Sequence, residues 1–486
     1  MSCRIFLLCL LASAAAAFAA EPKPKPNILF LSVDDMNDWV GCLGGYPGVS
    51  TPNIDRLAKR GALFTNAHTA SPICNPSRTA LLTGMRPDTT GIYNNNQWWR
   101  PAHPDYVTLP MYMRQHGYHA AGAGKIFHHT SGFNPPDQWD EFHLQEFDDP
   151  WYRRPAWYPW VKKIPNPPGH PFNGLHDFQG EFDWGVLDRK EEDYGDMKAV
   201  RFAGDFFQRQ HAKPFFLAIG LWHPHIPMFA PQKYFDLYPN PRLPEVPAND
   251  LDDLPPIAKS FAAARRNEHE RIVKEGKWPD AVRAYLASIS FADAMIGMVL
   301  HALEKSPHAS NTLIILWSDH GWHLGEKQHW HKSTLWERST RVPLIVAGPG
   351  VSAAGTPRGQ SVSLLDLYPT ILDLCGLPAK KENEGVTLVP VLNNATAPHR
   401  PAVATLGPGN HMVRTERWRY IRYSDGTEEL YDNIADRHEY HNLAGDPRHL
   451  ALKQDLAQHF PKTSAPPVPN RVDDDFDFAT YTWKRK

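Results

Sequence analysis

Short apolar runs, several of them rich in β-branched residues, recur along the chain, and polar residues and then a helical pattern follow each run. The four clearest runs are Asn27–Val33, Tyr118–Ala121, Pro214–Ile219 and Thr312–Trp317. Short buried strands that alternate with helices are typical of a parallel sheet flanked by helices. We therefore expect an α/β fold with a large, mostly parallel central sheet.

Three segments have the spacing of helices. Asn53–Gly61 combines an asparagine cap, helical apolar spacing and a glycine stop. Ala281–Leu303 carries apolar residues at helical spacing, and Leu364–Cys375 ends at Gly376. Helices at these places would cover the faces of the predicted sheet.

The segment from Phe133 to about Gly180 is rich in proline and tryptophan and has no clear period. This pattern predicts a long structured loop. The whole chain has 46 prolines, 16 tryptophans and 17 tyrosines. Stiff loops carrying aromatic rings commonly form the walls of carbohydrate sites, so such a pocket is expected here.

The pattern changes after about Pro378. Short alternating runs predict antiparallel strands at Met412–Thr415, Arg417–Tyr423 and Glu429–Tyr431, with Asp425-Gly426 as a hairpin turn. We expect a catalytic domain over residues 22–378 and a smaller C-terminal subdomain over residues 379–486. The acidic tail Asp473–Asp477 is expected to be solvated.

Polar residues that can carry out chemistry follow the four predicted strands. They are Asp34, Asp35, Lys125, His223, His225, Asp319 and His320. Open α/β sheets bind their ligands outside the carboxyl ends of the strands. These side chains are therefore expected to converge at one edge of the sheet.

The 486 residues carry a formal net charge of −2 and are 42% apolar. This length can hold a large core. The near-neutral charge argues against a protein that binds nucleic acid or a membrane surface as a whole. A local basic pocket for a small anion remains compatible with it.

The first 19 residues resemble a secretory signal peptide. Arg4 is followed by the apolar run Ile5–Phe18 and an Ala17-Phe18-Ala19 cleavage site. We expect a secreted or periplasmic protein, lysosomal in a eukaryote, with no membrane anchor. Removal of this segment leaves three cysteines, an odd number that does not form a disulfide framework and favours a chemical role for one of them.

One cysteine lies in a long and specific motif, Cys74-Asn-Pro-Ser-Arg78, which is followed by Thr79-Ala-Leu-Leu-Thr-Gly84. This motif resembles the signature of the formylglycine-dependent sulfatases. The resemblance implies an alkaline-phosphatase-like fold with a smaller C-terminal antiparallel sheet. It also implies that a maturation enzyme oxidises Cys74 to formylglycine (3-oxoalanine). The formylglycine would be the nucleophile that hydrolyses sulfate esters of a carbohydrate.

Four further segments resemble the iduronate-2-sulfatase branch of that family. They are Arg86–Thr90, Gly124–His128, His223–Pro227 and Asp319–Trp322. The branch implies a sulfate next to a uronate carboxylate, removed from chain ends of glycosaminoglycan-like fragments. Other sulfated sugars or small esters remain alternatives.

The resemblance assigns Ca²⁺ to the side chains of Asp34, Asp35, Asp319 and His320 and to the oxygen of the modified residue at Cys74. Carboxylate oxygens suit this hard cation. A pair of aspartates after a strand could instead cap a helix. The presence of a third aspartate at the end of another strand favours the metal.

The remaining catalytic roles also follow from the resemblance. Arg78 would orient the formylglycine, and Lys125 and Lys332 would bind sulfate oxygens as point charges. His225 would protonate the leaving oxygen and His128 would accept the proton that releases sulfate, although the two roles could be reversed. Both tasks suit a pKa near neutrality.

Substrate contacts beyond the sulfate are expected from aromatic and basic side chains. Arg100 is the candidate for a uronate carboxylate, and Trp322 for a sugar face. Trp98 and Trp99 could serve the same purpose or could be packed in the core. The loop from Phe133 to Gly180 would close one side of the pocket.

Two other functions are compatible with part of this pattern. A phosphodiesterase or phosphonate hydrolase of the same superfamily would share the strand-end metal site, but commonly uses Thr or Ser, or two metals. A binder of sulfated glycans that has lost maturation would retain an unmodified thiol at Cys74. The complete set of catalytic positions favours the enzyme.

Overall fold

The protein is described from a computed structural model, over residues 25–128, 131–146, 148, 169–175, 182–264, 266–477 and 479–486. The expected signal peptide and most of the loop from Phe133 to Gly180 lie outside these residues. The strands, in chain order, are β1 Asn27–Val33, β2 Ala62–His68, β3 His119–Gly124, β4 Glu141–His143, β5 Trp184–Gly185, β6 Phe215–Leu221, β7 Met228–Phe229, β8 Thr312–Ser318, β9 His323–Leu324, β10 Trp330–His331, β11 Arg341–Ala347, β12 Val362–Ser363, β13 Ala402–Thr405, β14 His411–Arg414, β15 Trp418–Arg422, β16 Glu428–Asp432, β17 Asp474–Asp477 and β18 Thr482–Arg485. The helices are α1 Pro52–Lys59, α2 Cys74–Thr83, α3 Pro87–Thr90, α4 Trp99–Ala102, α5 Leu109–Gln115, α6 Asp196–Gln208, α7 Gln232–Phe235, α8 Pro256–Ala263, α9 Arg266–Lys274, α10 Trp278–Lys305, α11 Glu337–Thr340, α12 Leu367–Leu374, α13 Val389–Asn393 and α14 Leu450–Ala457.

The central sheet has eight strands in the order β12-β2-β11-β8-β1-β6-β3-β4. Strands β8, β1, β6, β3 and β4 run parallel, and β11 is antiparallel to both of its neighbours. Residues along β1 alternate between two cores on opposite faces of the sheet. Leu29 and Leu31 belong to one core, and Ile28 and Phe30 to the other. The predicted α/β fold with a mostly parallel sheet is confirmed.

The four predicted central strands correspond to β1, β3, β6 and β8, and the three predicted helices to α1, α10 and α12. The segment expected to be one long loop contributes a short strand, β4, to the edge of the central sheet. This part of the prediction was wrong. Its three residues pair only along one side, with β3, and such a short edge strand leaves little sequence pattern.

A second, four-stranded antiparallel sheet has the order β13-β14-β15-β16. It contains the three predicted C-terminal strands, and the Asp425-Gly426 turn joins β15 to β16, where Gly426 has a φ of 84°. The acidic tail, predicted to be solvated, is largely exposed at Asp473, Asp475 and Asp477, and it also pairs as a hairpin of β17 and β18 that the sequence did not indicate. The boundary between the two units at residue 378 stays a prediction.

Helix α10 is 28 residues long and apolar enough to cross a membrane by length and composition. It packs against α1, α6 and α7, and 72% of its most apolar window is buried within the protein. These contacts make it a core helix of the layer that covers β1.

Candidate active site

Three buried carboxylates meet at the carboxyl ends of the neighbouring parallel strands β1 and β8. Asp34 and Asp35 follow β1, Asp319 follows β8, and none of the three is exposed to solvent. The backbone of Asp35 has a φ of 58°, and its N–H donates to Oδ1 of Asp319 over 3.2 Å. Buried like charges at this spacing require compensation by cations.

Cys74 is the first residue of α2 and lies fully buried beside these carboxylates. Its Sγ is 3.2 Å from Nε2 of His320 and 3.2 Å from Nζ of Lys332. The same sulfur is 3.8 Å from Oδ1 of Asp34 and 3.8 Å from Nζ of Lys125. Burial raises the pKa of the Cys74 thiol, so the unmodified side chain is held neutral.

Arg78 lies one turn after Cys74 and is fully buried. Its Nε donates to Oδ2 of Asp319 over 2.8 Å, and its Nη1 donates to the carbonyl oxygens of Lys125 and Ile126 over 2.5 and 3.0 Å. Burial of Asp319 disfavours its charge, but Arg78, His320 and Lys125 together outweigh burial and hold the pKa of this carboxyl well below its usual range. Arg78 therefore joins α2 to the ends of β3 and β8.

Two lysines balance the other two carboxylates. Lys125 pairs with Asp34 and lies 4.2 Å from the ring centre of Trp222. Nζ of Lys332 lies 2.7 Å from Oδ1 of Asp35. Burial alone would lower the pKa of Lys332, but the surrounding acidic groups, of which Asp35 has the largest effect, together raise it above its usual value. Lys332 is therefore a cation whose Nζ faces both Cys74 and Asp35.

Both predicted catalytic histidines are buried. Nδ1 of His225 lies 2.5 Å from the carbonyl oxygen of Ile226, which leaves Nε2 directed toward Oδ2 of Asp35 at 3.7 Å. His128 follows β3, and its ring lies edge-on to Phe133 with 4.8 Å between ring centres. The structure places His225 directly at the carboxylates, whereas the role of His128 stays a prediction.

The carboxylate end of the site has the donors of a metal centre. One ligand atom each from Asp34, Asp35, Cys74 and His320 lie within 4.8 Å of one another. Oδ2 of Asp35 is buried and accepts no hydrogen bond from the described residues. Burial raises the pKa of Asp34, and it raises the pKa of Asp35 to about 8. A divalent cation would offset the free-energy cost of burying these carboxylates in their charged form, so the residues present fit a metal.

Asp319 belongs beside this cluster, because its Oδ2 lies 3.6 Å from Nε2 of His320. Burial lowers the pKa of the His320 imidazole, which favours the neutral form that can act as a ligand. All five predicted metal positions are thus brought together, in agreement with the convergence expected from the strand ends. Their roles as ligands stay predictions.

The predicted sugar-binding residues have different surroundings. Trp322 is 1% exposed, and its ring centre lies 5.4 Å from Nζ of Lys332. Arg100 lies on α4, paired with Asp137 and 5.4 Å from the ring of Trp99. Trp99 is fully buried and donates from Nε1 to Phe133 O over 3.0 Å, which makes it a core residue.

Sequence reasoning missed two residues that shape the site. Trp222 supports Lys125 and packs on His225, with 4.2 Å between ring centres. Its position directly after β6 was the available signal. Asn75, the variable residue of the cysteine motif, donates from Nδ2 to the carbonyl oxygens of Asn94 and Gln97 over 2.9 and 2.7 Å. Nothing in the sequence indicated these contacts.

Comparison with known proteins agrees with this geometry. Residues 26–377 match the sulfatase family. The chain is a sulfatase. Residues 325–465 also match the C-terminal region of N-sulphoglucosamine sulphohydrolase. This sulfatase therefore hydrolyses sulfate esters, and the family generally uses formylglycine and a divalent metal.

Similar proteins span most of this sulfatase. A sulfatase of Formosa agariphila is 38% identical over 91% of this chain and 87% of its own. Human iduronate 2-sulfatase is 32% identical over 77% of this chain and 74% of its own. A solved 2-O GAG sulfatase has a TM-score of 0.68 at 24% identity, covering 89% of this chain and 91% of its own, which shows the shared alkaline-phosphatase-like fold.

Proposed function

We propose that this sulfatase uses Cys74, oxidised to formylglycine, to remove a 2-O-sulfate from the uronate end of a sulfated glycan fragment. The observation that carries the proposal is the placement of Cys74. Its Sγ lies within 3.8 Å of two lysine ammonium groups, His320 and Asp34. A nucleophile at this point would contact a sulfate group held between the two lysines and next to the proposed metal.

Hydrated formylglycine supplies one hydroxyl that attacks sulfur and a second whose loss of a proton releases sulfate. Asp34, Asp35, Asp319 and His320 would hold Ca²⁺, which would supply Lewis acidity beside residue 74 and offset the negative charge of the sulfate. The chain itself supplies the other groups. Arg78 fixes the orientation of residue 74 through the contact of α2 with Asp319.

Lys125 and Lys332 bind the sulfate oxygens as point charges. As the ester S–O bond breaks, His225 donates a proton from Nε2 to the leaving alcohol oxygen. The hydrogen bond of its Nδ1 to Ile226 O leaves Nε2 facing the site. His128 accepts the proton that residue 74 loses, and sulfate then leaves.

The uronate preference is supported by the similarity to human iduronate 2-sulfatase. Arg100 is the candidate for the carboxylate. Trp322, beside Lys332, is as deeply buried as Trp99, so its ring would have to be uncovered before it could stack on a sugar. The signal-like sequence at residues 1–19 supports export to the periplasm or the exterior, where such polysaccharide fragments occur.

Two measurements test this proposal. Oxidation of Cys74 to formylglycine lowers the mass of its peptide by about 18 Da. The matured enzyme should hydrolyse 2-O-sulfated uronate disaccharides faster than neutral sulfated sugars or phosphonate esters. An unmodified thiol with tight glycan binding would indicate a binding protein, and preferential hydrolysis of phosphonate esters would indicate the rival hydrolase.

A further inference from the structure

The last 21 residues lie beyond both family matches, which end at residues 377 and 465. They contain the hairpin of β17 and β18, whose two large rings, Phe476 and Trp483, lie 5.0 Å apart on one face. Both rings pack on Trp98. The distances between ring centres are 5.3 Å from Phe476 and 6.0 Å from Trp483.

Trp98 also contacts Phe133, which in turn contacts His128. The Trp98 ring lies edge-on to Phe133 at 6.2 Å, and Phe133 lies edge-on to His128 at 4.8 Å. A Cβ added to Gly132 would be 3.1 Å from the Trp98 indole, which shows how closely the backbone before Phe133 approaches this ring. An unbroken row of rings therefore leads from the hairpin to His128.

No hydrogen bond fixes the Trp98 ring within the described residues. Its Nε1 is buried and unpartnered there, as is Nε1 of Trp483. The orientation of Trp98 therefore depends on ring packing alone. If Phe476 and Trp483 are removed, one side of the Trp98 ring becomes free to move.

The segment before the hairpin reaches the site by a second route. Val468 donates its N–H to Gly91 O over 3.0 Å, and its carbonyl accepts from Nε2 of Gln97 over 2.7 Å. The N–H of Arg471 donates to Asn96 O. Asn75 is bound to the same loop through Gln97 O, directly beside Cys74. The C-terminal segment thus holds the loop on which the cysteine motif rests.

We propose that the C-terminal hairpin is a positioning element of the active site. Phe476 and Trp483 fix Trp98 and, through Phe133, the imidazole of His128. The inference rests on the proposed role of His128 in the release of sulfate. Phe476 and Trp483 act through other residues, so they are positioning residues and take no direct part in the reaction.

The test uses matured full-length enzyme and the variants Trp483→Ala, Trp483→Phe and Lys484→Ala. Lys484 is exposed on the same strand and is the matched control. Trp483→Ala should lower kcat roughly ten- to a hundredfold for an aryl sulfate and for a sulfated disaccharide alike, with KM within about twofold. Trp483→Phe should restore most of the rate, and Lys484→Ala should match the wild type.

Hydrogen exchange provides a readout that does not depend on activity. Peptides covering Asn94–Trp98 and Ile126–His128 should exchange faster in Trp483→Ala and in a chain truncated after Asn470. The inference is overturned if only the melting temperature falls, which would indicate simple structural support. It is also overturned if KM rises for the disaccharide alone, which would indicate direct substrate contact.

Failure of the proposed function has a different signature. A wild type that hydrolyses no sulfate ester would remove the catalytic basis, while hydrogen exchange would still decide whether the hairpin holds these two segments. An active wild type with unchanged rates and exchange in Trp483→Ala would reject the positioning role alone.

Discussion

Nζ of Lys332 lies 3.2 Å from Sγ of Cys74 and forms one of the shortest polar contacts of the motif cysteine. A cation at this distance can hold a sulfate oxygen when residue 74 attacks sulfur. Lys332→Ala should therefore lower kcat/KM about a hundredfold or more, and Lys332→Arg should restore only part of it, because a planar guanidinium does not replace a compact ammonium.

A second buried lysine provides the control for this prediction. Lys327 lies five residues earlier and pairs with Asp250 over 2.6 Å, away from Cys74. Lys327→Met should lower the melting temperature and leave kcat/KM near the wild-type value at temperatures well below it. Equal kinetic losses in the Lys327 and Lys332 variants would show that the Lys332 effect is structural.

Cys74→Ala should abolish turnover and leave the fold intact, since the substitution removes one buried side chain at the start of α2. Steady-state rates and circular dichroism check this. Cys375→Ala is a matched control, because Cys375 is also buried but lies in the core after α12. It should lose some stability and keep its activity. More than a few per cent residual activity in Cys74→Ala would contradict the formylglycine mechanism.

Removal of divalent metal should lower both the rate and the melting temperature. The fully buried carboxylates of Asp34 and Asp35 would then lack their cation, and Oδ2 of Asp35 accepts no hydrogen bond from the described residues. Calcium at about a hundredfold excess over its Kd should restore roughly 3 kcal/mol.

Calorimetry with chelator, calcium and magnesium measures this effect, with calcium expected to be the best of the added ions. In Asp35→Asn, calcium should raise the melting temperature much less than it does in the wild type. The metal site would be contradicted if thorough chelation left the melting temperature and the rate of the wild type unchanged.

The convergence at the strand ends was predictable from sequence for a physical reason. Parallel neighbours such as β1 and β8 end at the same edge, so Asp34 and Asp319 must be close once both strands are recognised. Strand β11 was harder to recognise, because Pro343 interrupts its apolar run. In the structure, the pairing of β11 with β2 shifts register between Val342 and Leu344, which accommodates the proline.

The C-terminal hairpin shows where local pattern fails. Its acidic residues are typical of a solvated tail, and most of them are exposed, but this pattern gives no indication that the segment pairs as a hairpin or that Phe476 and Trp483 pack on another part of the chain. Their partner, Trp98, lies far away in the sequence, and nothing near the hairpin indicates the contact. For the same reason, the bonds of Asn75 to the loop at Asn94 and Gln97 could not be foreseen.

The stability of the protein should depend on pH through Asp293, a buried residue of α10. Its carboxylate accepts the backbone N–H groups of Asn53 and Ile54 over 3.1 and 2.8 Å at the start of α1. Burial outweighs these bonds and raises the pKa of Asp293 to about 6. Because the folded pKa exceeds the unfolded one, the stabilisation is complete below about pH 4 and is lost as the pH rises through 6.

Asp293→Asn should remove this dependence. The difference in melting temperature between Asp293→Asn and wild type should shift in favour of the variant from pH 4 to pH 7. The shift should correspond to a stability change of about 3 kcal/mol at most. Asp205→Asn, which changes an exposed aspartate of α6, is the control and should show a flat difference. A constant gap between Asp293→Asn and wild type across this range would rule out the effect.

Arg100 provides the test of substrate preference. Its guanidinium pairs with Asp137 and packs over Trp99. If it binds the uronate carboxylate, Arg100→Ala should reduce the ratio of kcat/KM for uronate over neutral sulfated sugars, with little change for the neutral ones. Asp137→Ala should have the opposite effect, because it frees the guanidinium from a competing carboxylate. Paired assays on a 2-O-sulfated uronate and a galactose sulfate measure both ratios. If the wild type already turns over the two sugars equally, the uronate preference is wrong, while the hydrolysis of sulfate esters still stands.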